Sequence, residues 1–84
     1  KIFMKYTINS HITNTNEVKA FFLFLRNDLG VNFHPDEDFC NYINLRTHEP
    51  SFTKDEVKLY NRLMDESFEV CNKINSDLIY EILP

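Results

Sequence analysis

An amphipathic stripe with a complete helix start signal is the feature that most constrains the fold of this chain. Thr53 and Glu56 have the spacing of a capping box, in which each side chain bonds the backbone amide of the other residue. Phe52 and Val57 form the matching hydrophobic staple. Apolar residues then recur at helical spacing for about five turns, as far as Ile74. A chain of 84 residues is expected to form a single domain, because a second domain would be too small to bury its own core.

A second helical stripe runs through residues 15–29 and stops at Gly30, the only glycine. One side of this stripe carries five apolar residues expected in the core, namely Val18, Phe21, Phe22, Leu25 and Leu29. Ala20, Leu23 and Phe24 fall on the opposite side, where a surface helix is normally polar. Either another element of the same chain covers this side or a partner does, and we take these three residues as the candidate interface.

The remaining segments predict an α+β domain spanning residues 1–84. Pro35 followed by acidic residues is typical of a helix first turn and indicates a short second helix. Residues 2–8 show period-two alternation, and residues 78–83 are mostly apolar, so both are predicted strands. The expected order is strand, helix, helix, helix, strand, with three helices packed on a small two- or three-stranded sheet.

Charge and hydropathy exclude several classes of partner. The net charge is −4, and all but two of the 13 acidic residues lie after residue 33. No basic stripe is available to displace counterions, so nucleic acid is not an expected partner. The longest apolar run, residues 20–25, is far shorter than the roughly 20 residues that a membrane span needs, so no membrane partner is expected either.

The two cysteines, Cys40 and Cys71, occupy apolar positions of predicted helices. We expect two buried thiols in a reduced, cytoplasmic protein, in agreement with the absence of a recognisable secretory leader. Acidic neighbours of Cys40, such as Asp38, should raise the pKa of its thiol and make it a poor nucleophile.

A histidine and aspartate cluster is the only candidate metal site. His34, Asp36 and His48 flank or lie within the predicted second helix and could converge, with Asp38 as a further carboxylate. The spacing matches no known metal motif, and acidic residues in a helix first turn explain the carboxylates equally well. We therefore expect no cofactor. The single glycine also rules out the familiar glycine-rich nucleotide motifs.

An acidic group on the third predicted helix suggests a second kind of contact. Asp65, Glu66 and Glu69 could form a docking surface for a basic partner, although a solvated helix face is the simpler interpretation.

Together these features predict a non-enzymatic protein-interaction module that acts as a homodimer or an accessory subunit. One alternative is a small metal-dependent or acid–base enzyme that uses His34, Asp36, Asp38 and His48. The other is an acidic inhibitor or antitoxin-like protein that binds a basic partner.

Overall fold

The structure is a computed structural model of the chain, and it describes residues 11–83. Most of its regular structure lies in three α-helices, which are α1 (Thr15–Leu23), α2 (Lys54–Asn72) and α3 (Leu78–Glu81). Two further helical turns complete it, a π-helical turn at Phe24–Asp28 and a 3-10 turn at Phe39–Asn41. The packing is therefore helix on helix, and α2 contacts both α1 and α3.

The α+β prediction is wrong for the described residues, which contain no strand. The predicted first strand, residues 2–8, lies outside them. The predicted last strand, residues 78–83, instead holds α3, where the amides of Tyr80 and Glu81 donate to the carbonyl of Asp77 at 3.1 and 3.2 Å. An apolar run does not by itself distinguish a strand from a helical turn. The turn satisfies its backbone groups without a neighbouring strand.

The capping box that opens α2 is confirmed. The Thr53 hydroxyl accepts the amide of Glu56 at 3.2 Å, and the Glu56 carboxylate accepts the amide of Thr53 at 2.8 Å. The buried side of α2 consists of Tyr60, Leu63, Met64, Ser67 and Cys71. The hydroxyl of Ser67 donates to the carbonyl of Leu63 at 2.8 Å, which satisfies a polar group that is fully buried.

The start of α1 is also as predicted. Asn14 caps the helix by accepting the amide of Glu17 at 2.9 Å, and Val18, Phe21 and Phe22 are buried. After Leu23 the helix widens, and the amide of Leu29 donates to the carbonyl of Phe24, five residues back, at 3.0 Å.

Residues 35–43 do not form the predicted second helix. The one helical element among them is the 3-10 turn, in which the Asp38 carboxylate accepts the amide of Cys40 at 2.9 Å. Asn61 of α2 fixes this turn, because its side chain accepts the amide of Phe39 at 3.1 Å and donates to Asp38 at 2.9 Å. Contacts with α2 therefore override the local helix signal, and they place the Phe39 ring in the core.

An aromatic cluster joins the 3-10 turn to α2. The ring centroid of Phe39 lies 5.5 Å from that of Tyr60 and 5.6 Å from those of Phe52 and Tyr42. Phe52 and Tyr60 are also adjacent, at 5.4 Å. These distances are in the range favoured by aromatic pairs. The cluster is the packed base of the loop between the turn and α2.

No helix among residues 11–83 combines the length and the apolar character needed to cross a bilayer.

Candidate interaction surface

Residues 43–50 form a hairpin loop that projects from the aromatic cluster. An isolated antiparallel bridge pairs Ile43 with Pro50, and the amide of Asn44 donates to the carbonyl of Glu49 at 2.8 Å. Just beyond the bridge, the amide of Ser51 donates to the carbonyl of Tyr42 at 2.9 Å. These backbone hydrogen bonds therefore join the two ends of the loop next to the aromatic cluster.

The Asn44 side chain shapes the tip of the hairpin loop. Its carbonyl oxygen accepts the amides of Arg46 and Thr47 at 2.8 and 3.3 Å. The amide of His48 then returns to the backbone carbonyl of Asn44 at 2.7 Å, and His48 takes a left-handed φ of 60°. These bonds hold Leu45 outward, with 83% of its surface exposed.

Apolar side chains are concentrated beside this loop. Leu29 is 37% exposed, which corrects its predicted place in the core, and Ile43 is 48% exposed. Both line an open hollow of about 330 Å³ together with the partly buried Val31. We define Leu29, Val31, Ile43 and Leu45 as the hairpin surface. Glu56 supplies the carboxylate in the lining of this hollow, and that carboxylate accepts the Thr53 amide in the capping box. The four side chains of the hairpin surface are apolar, and the hollow beside them has a mixed lining that also includes Ser51 and Glu56.

A second hollow, also of about 330 Å³, has Phe52 as the one lining residue that it shares with the first hollow. We call it the lysine hollow, and its lining consists of Cys40, Pro50, Phe52, Lys54, Val57 and Lys58. Cys40 is exposed here, which corrects the prediction that both thiols are buried, whereas Cys71 is fully buried. A hydrogen bond with the Asp38 side chain raises the pKa of the Cys40 thiol, so this cysteine is a weak nucleophile, as predicted.

The predicted metal residues do not converge as a set, although His34 Nδ1 lies 3.8 Å from Asp36 Oδ2. No group of three or more potential His, Cys, Asp or Glu ligands forms within residues 11–83, which include His34, Asp36 and His48. His34 Nδ1 accepts the amide of Asp36 at 3.2 Å, so the nitrogen lone pair is engaged. His48 instead belongs to the hairpin loop, where its backbone closes the tip.

Asp36 has a structural partner that the sequence did not reveal. The Tyr80 hydroxyl donates to both Asp36 carboxylate oxygens, at 2.9 and 3.1 Å, which ties α3 to the loop before the 3-10 turn. This hydrogen bond raises the pKa of Tyr80, so the hydroxyl stays protonated and acts as a donor. The arrangement therefore serves to hold α3 in place.

The predicted interface on α1 is not a continuous exposed face. Phe24 is 2% exposed, and its ring lies 6.1 Å from that of Tyr60 on α2. Its predicted place on an outer surface is therefore corrected, because α2 covers it. Ala20 and Leu23 are half-buried.

The three residues of the predicted acidic surface differ in their surroundings. Asp65 and Glu69 are exposed. Glu66, in contrast, fastens the segment before α1 to α2: its carboxylate accepts the amide of Ile12 at 2.7 Å and lies 3.2 Å from the His11 ring and 3.1 Å from Arg62.

Glu66→Gln is expected to lower the free energy of unfolding by about 1 kcal/mol, since a partly exposed, charge-assisted hydrogen bond is weakened. The bond from the Ile12 amide is the main cause that lowers the pKa of Glu66 below its usual 4.5, with smaller contributions from His11 and Arg62. This stabilisation is fully present above the ordinary glutamate pKa and is lost as pH falls through the lowered folded-state pKa. Urea denaturation over a range of pH measures it.

The control variant Asp65→Asn neutralises an exposed acid on the same helix. Its free energy of unfolding should depend on pH as that of the wild type does. If the free energy of unfolding depended on pH in the same way in Glu66→Gln and in the wild type, this role of Glu66 would be contradicted.

Comparisons with protein-family models, curated proteins and solved structures find no match to this chain. The two hollows and the hairpin loop are therefore the features of the described residues that bear on function.

Proposed function

We propose that this chain is a protein-interaction module that forms a homodimer through the hairpin surface. The observation that carries the proposal is the concentration of exposed apolar area beside one fixed loop, with Leu29 at 37%, Ile43 at 48% and Leu45 at 83%. Side chains of this kind favour a partner, because their burial removes apolar surface from water at roughly 25 cal/mol per Å².

The charges around the hairpin surface favour a second copy as the partner. In a two-fold symmetric dimer the same patch meets itself, so a patch with an excess of one charge repels its copy. The hairpin loop carries one exposed base, Arg46, and one exposed acid, Glu49. Each can face the opposite charge of the other copy across the two-fold axis. The apolar residues of the hairpin surface and the opposite charges of Arg46 and Glu49 therefore suit a contact between two identical copies.

Leu45→Asp is expected to weaken the dimer at least about 30-fold, since the substitution introduces a charge into an apolar contact at a cost of roughly 2 kcal/mol or more. Leu45 is 83% exposed, so the free energy of unfolding of the monomer should change by less than about 0.5 kcal/mol. Sedimentation velocity over a concentration series measures the dimer, and thermal unfolding checks the fold.

Ile74→Asp provides the matched control. Ile74 is 67% exposed and lies just beyond the end of α2, beside a different hollow that includes Thr13 and Val70. Its charge substitution should leave the dimer intact. A wild-type chain that sediments as a monomer up to millimolar concentration would refute the proposal, and so would equal loss of the dimer in both variants.

A further inference from the structure

The lysine hollow combines an apolar floor with an uncompensated pair of cations. Phe52, Pro50 and Val57 supply apolar lining. Lys54 and Lys58 lie one helical turn apart on α2, and both are exposed. Neither lysine takes part in an ion pair within residues 11–83.

Helix stability does not explain this pair of lysines. Like charges at this spacing destabilise a helix slightly, and a base near the helix start opposes the macrodipole. Nearby acids are engaged elsewhere: Glu56 accepts the amide of Thr53, and Asp38 accepts from Cys40 and Asn61. Asp55, on the same turn as Lys54, is exposed and reduces the local charge without pairing with it. The lysines are therefore available to a ligand.

We propose that the lysine hollow binds a segment of another protein in which an apolar side chain is flanked by aspartate or glutamate. The apolar side chain would occupy the hollow against Phe52 and Val57, and the flanking carboxylates would pair with Lys54 and Lys58. The hollow, at about 330 Å³, is open to solvent and has the size of a site for one or two side chains. Charge complementarity then selects an acidic segment in particular.

The partner at this hollow is distinct from the second copy at the hairpin surface. A two-fold contact through the lysine hollow would bring the lysines of both copies together, which is repulsive. The inference rests on the proposed role as an interaction module, but it concerns a different hollow, which shares Phe52 alone with the lining of the first. The proposed dimer would therefore present two lysine hollows, one on each copy.

Fluorescence anisotropy with a defined peptide tests this binding. The probe is a fluorescein-labelled peptide with one phenylalanine between two pairs of glutamates, and a second probe carries alanine in place of the phenylalanine. We expect the first probe to bind at least about tenfold more tightly, because only it fills the hollow. Affinity should also fall as salt is raised, since the exposed ion pairs are screened.

The double variant Lys54→Glu, Lys58→Glu should weaken binding of the phenylalanine probe roughly tenfold or more, because attraction becomes repulsion at both positions. Lys73→Glu is the matched control, since it reverses one exposed charge immediately after the same helix. It should leave the affinity within about twofold.

Alkylation of Cys40 gives a second, direct measure of occupancy. The bound probe should slow the reaction of Cys40 with a maleimide, while the buried Cys71 stays unmodified in the folded protein. No binding of the phenylalanine probe, equal binding by the double lysine variant, or no protection of Cys40 would each overturn the inference. Leu45→Asp should bind the probe as the wild type does, so loss of the dimer and failure of the lysine hollow are separate results.

Discussion

Replacement of Phe39 with alanine is expected to lower the free energy of unfolding by about 3–5 kcal/mol. Phe39 is 1% exposed, and its ring contacts the rings of Tyr42, Phe52 and Tyr60 at centroid distances of 5.5 to 5.6 Å. The substitution leaves a cavity where the 3-10 turn joins α2, and it removes the packing beneath the hairpin loop. A chain of this size has a total stability of roughly 4–13 kcal/mol, so the loss is a large part of the whole.

Urea denaturation followed by circular dichroism measures the effect of Phe39→Ala. The control is Leu45→Ala, where the removed side chain is 83% exposed and the change should stay below about 0.5 kcal/mol. A Phe39→Ala variant that loses less than about 1 kcal/mol would show that the aromatic cluster does not hold the turn against α2.

Phe24→Ser is expected to destabilise the chain by about 3–5 kcal/mol, whereas Leu23→Ser should cost about 1 kcal/mol. The two residues are neighbours, but Phe24 is 2% exposed beside Tyr60 and Leu23 is only half-buried. The serine at position 24 would remove a large apolar side chain and introduce a hydroxyl into its place.

Thermal unfolding of the two single variants measures this difference. If Phe24→Ser stays folded with a wild-type melting temperature and instead changes the oligomeric state, then Phe24 lies at an interface, as the helical periodicity alone predicted. A large loss of stability in Phe24→Ser with little change in Leu23→Ser agrees with the core position that the structure gives.

The contrast at Phe24 separates features of the fold that depend on neighbouring residues in the sequence from features that depend on tertiary contacts. The start of α2 follows from Thr53 and Glu56, which lie three residues apart, and the sequence predicts it correctly. The cover over Phe24 comes from Tyr60 on another helix. Periodicity reports which side of a helix is apolar, but it does not report which other helix will cover that side.

The short segments were mispredicted for a related reason. Residues 35–43 have the residues of a helix start, yet Asn61 of α2 holds Phe39 and Asp38 in a 3-10 turn. Residues 78–83 have apolar content that suits a strand, yet the structure folds them as the turn of α3. In both cases tertiary contacts decide the structure, because a short segment has too few residues for its secondary-structure propensity to outweigh them.

The candidate site could have been found only in part. Leu45 stands as an apolar residue between Asn44 and Arg46 in a polar loop, and this is the one local signal of the hairpin surface. Leu29 and Ile43 line one hollow only because the fold brings them together. The spacing of Lys54 and Lys58 is visible in the sequence, but the apolar floor beneath them depends on how Phe52 and Pro50 are placed.

Dilution of the isotopically labelled protein, followed by its amide resonances in two-dimensional NMR, tests the dimer and its location together. The homodimer predicts that the resonances of residues 29–31 and 43–49 shift with concentration, while those around Ile74 stay constant. The Leu45→Asp variant should give the dilute-limit spectrum at every concentration. Spectra that do not change with concentration, or shifts confined to α1 or to the end of α2, would contradict the hairpin surface as the site of self-association.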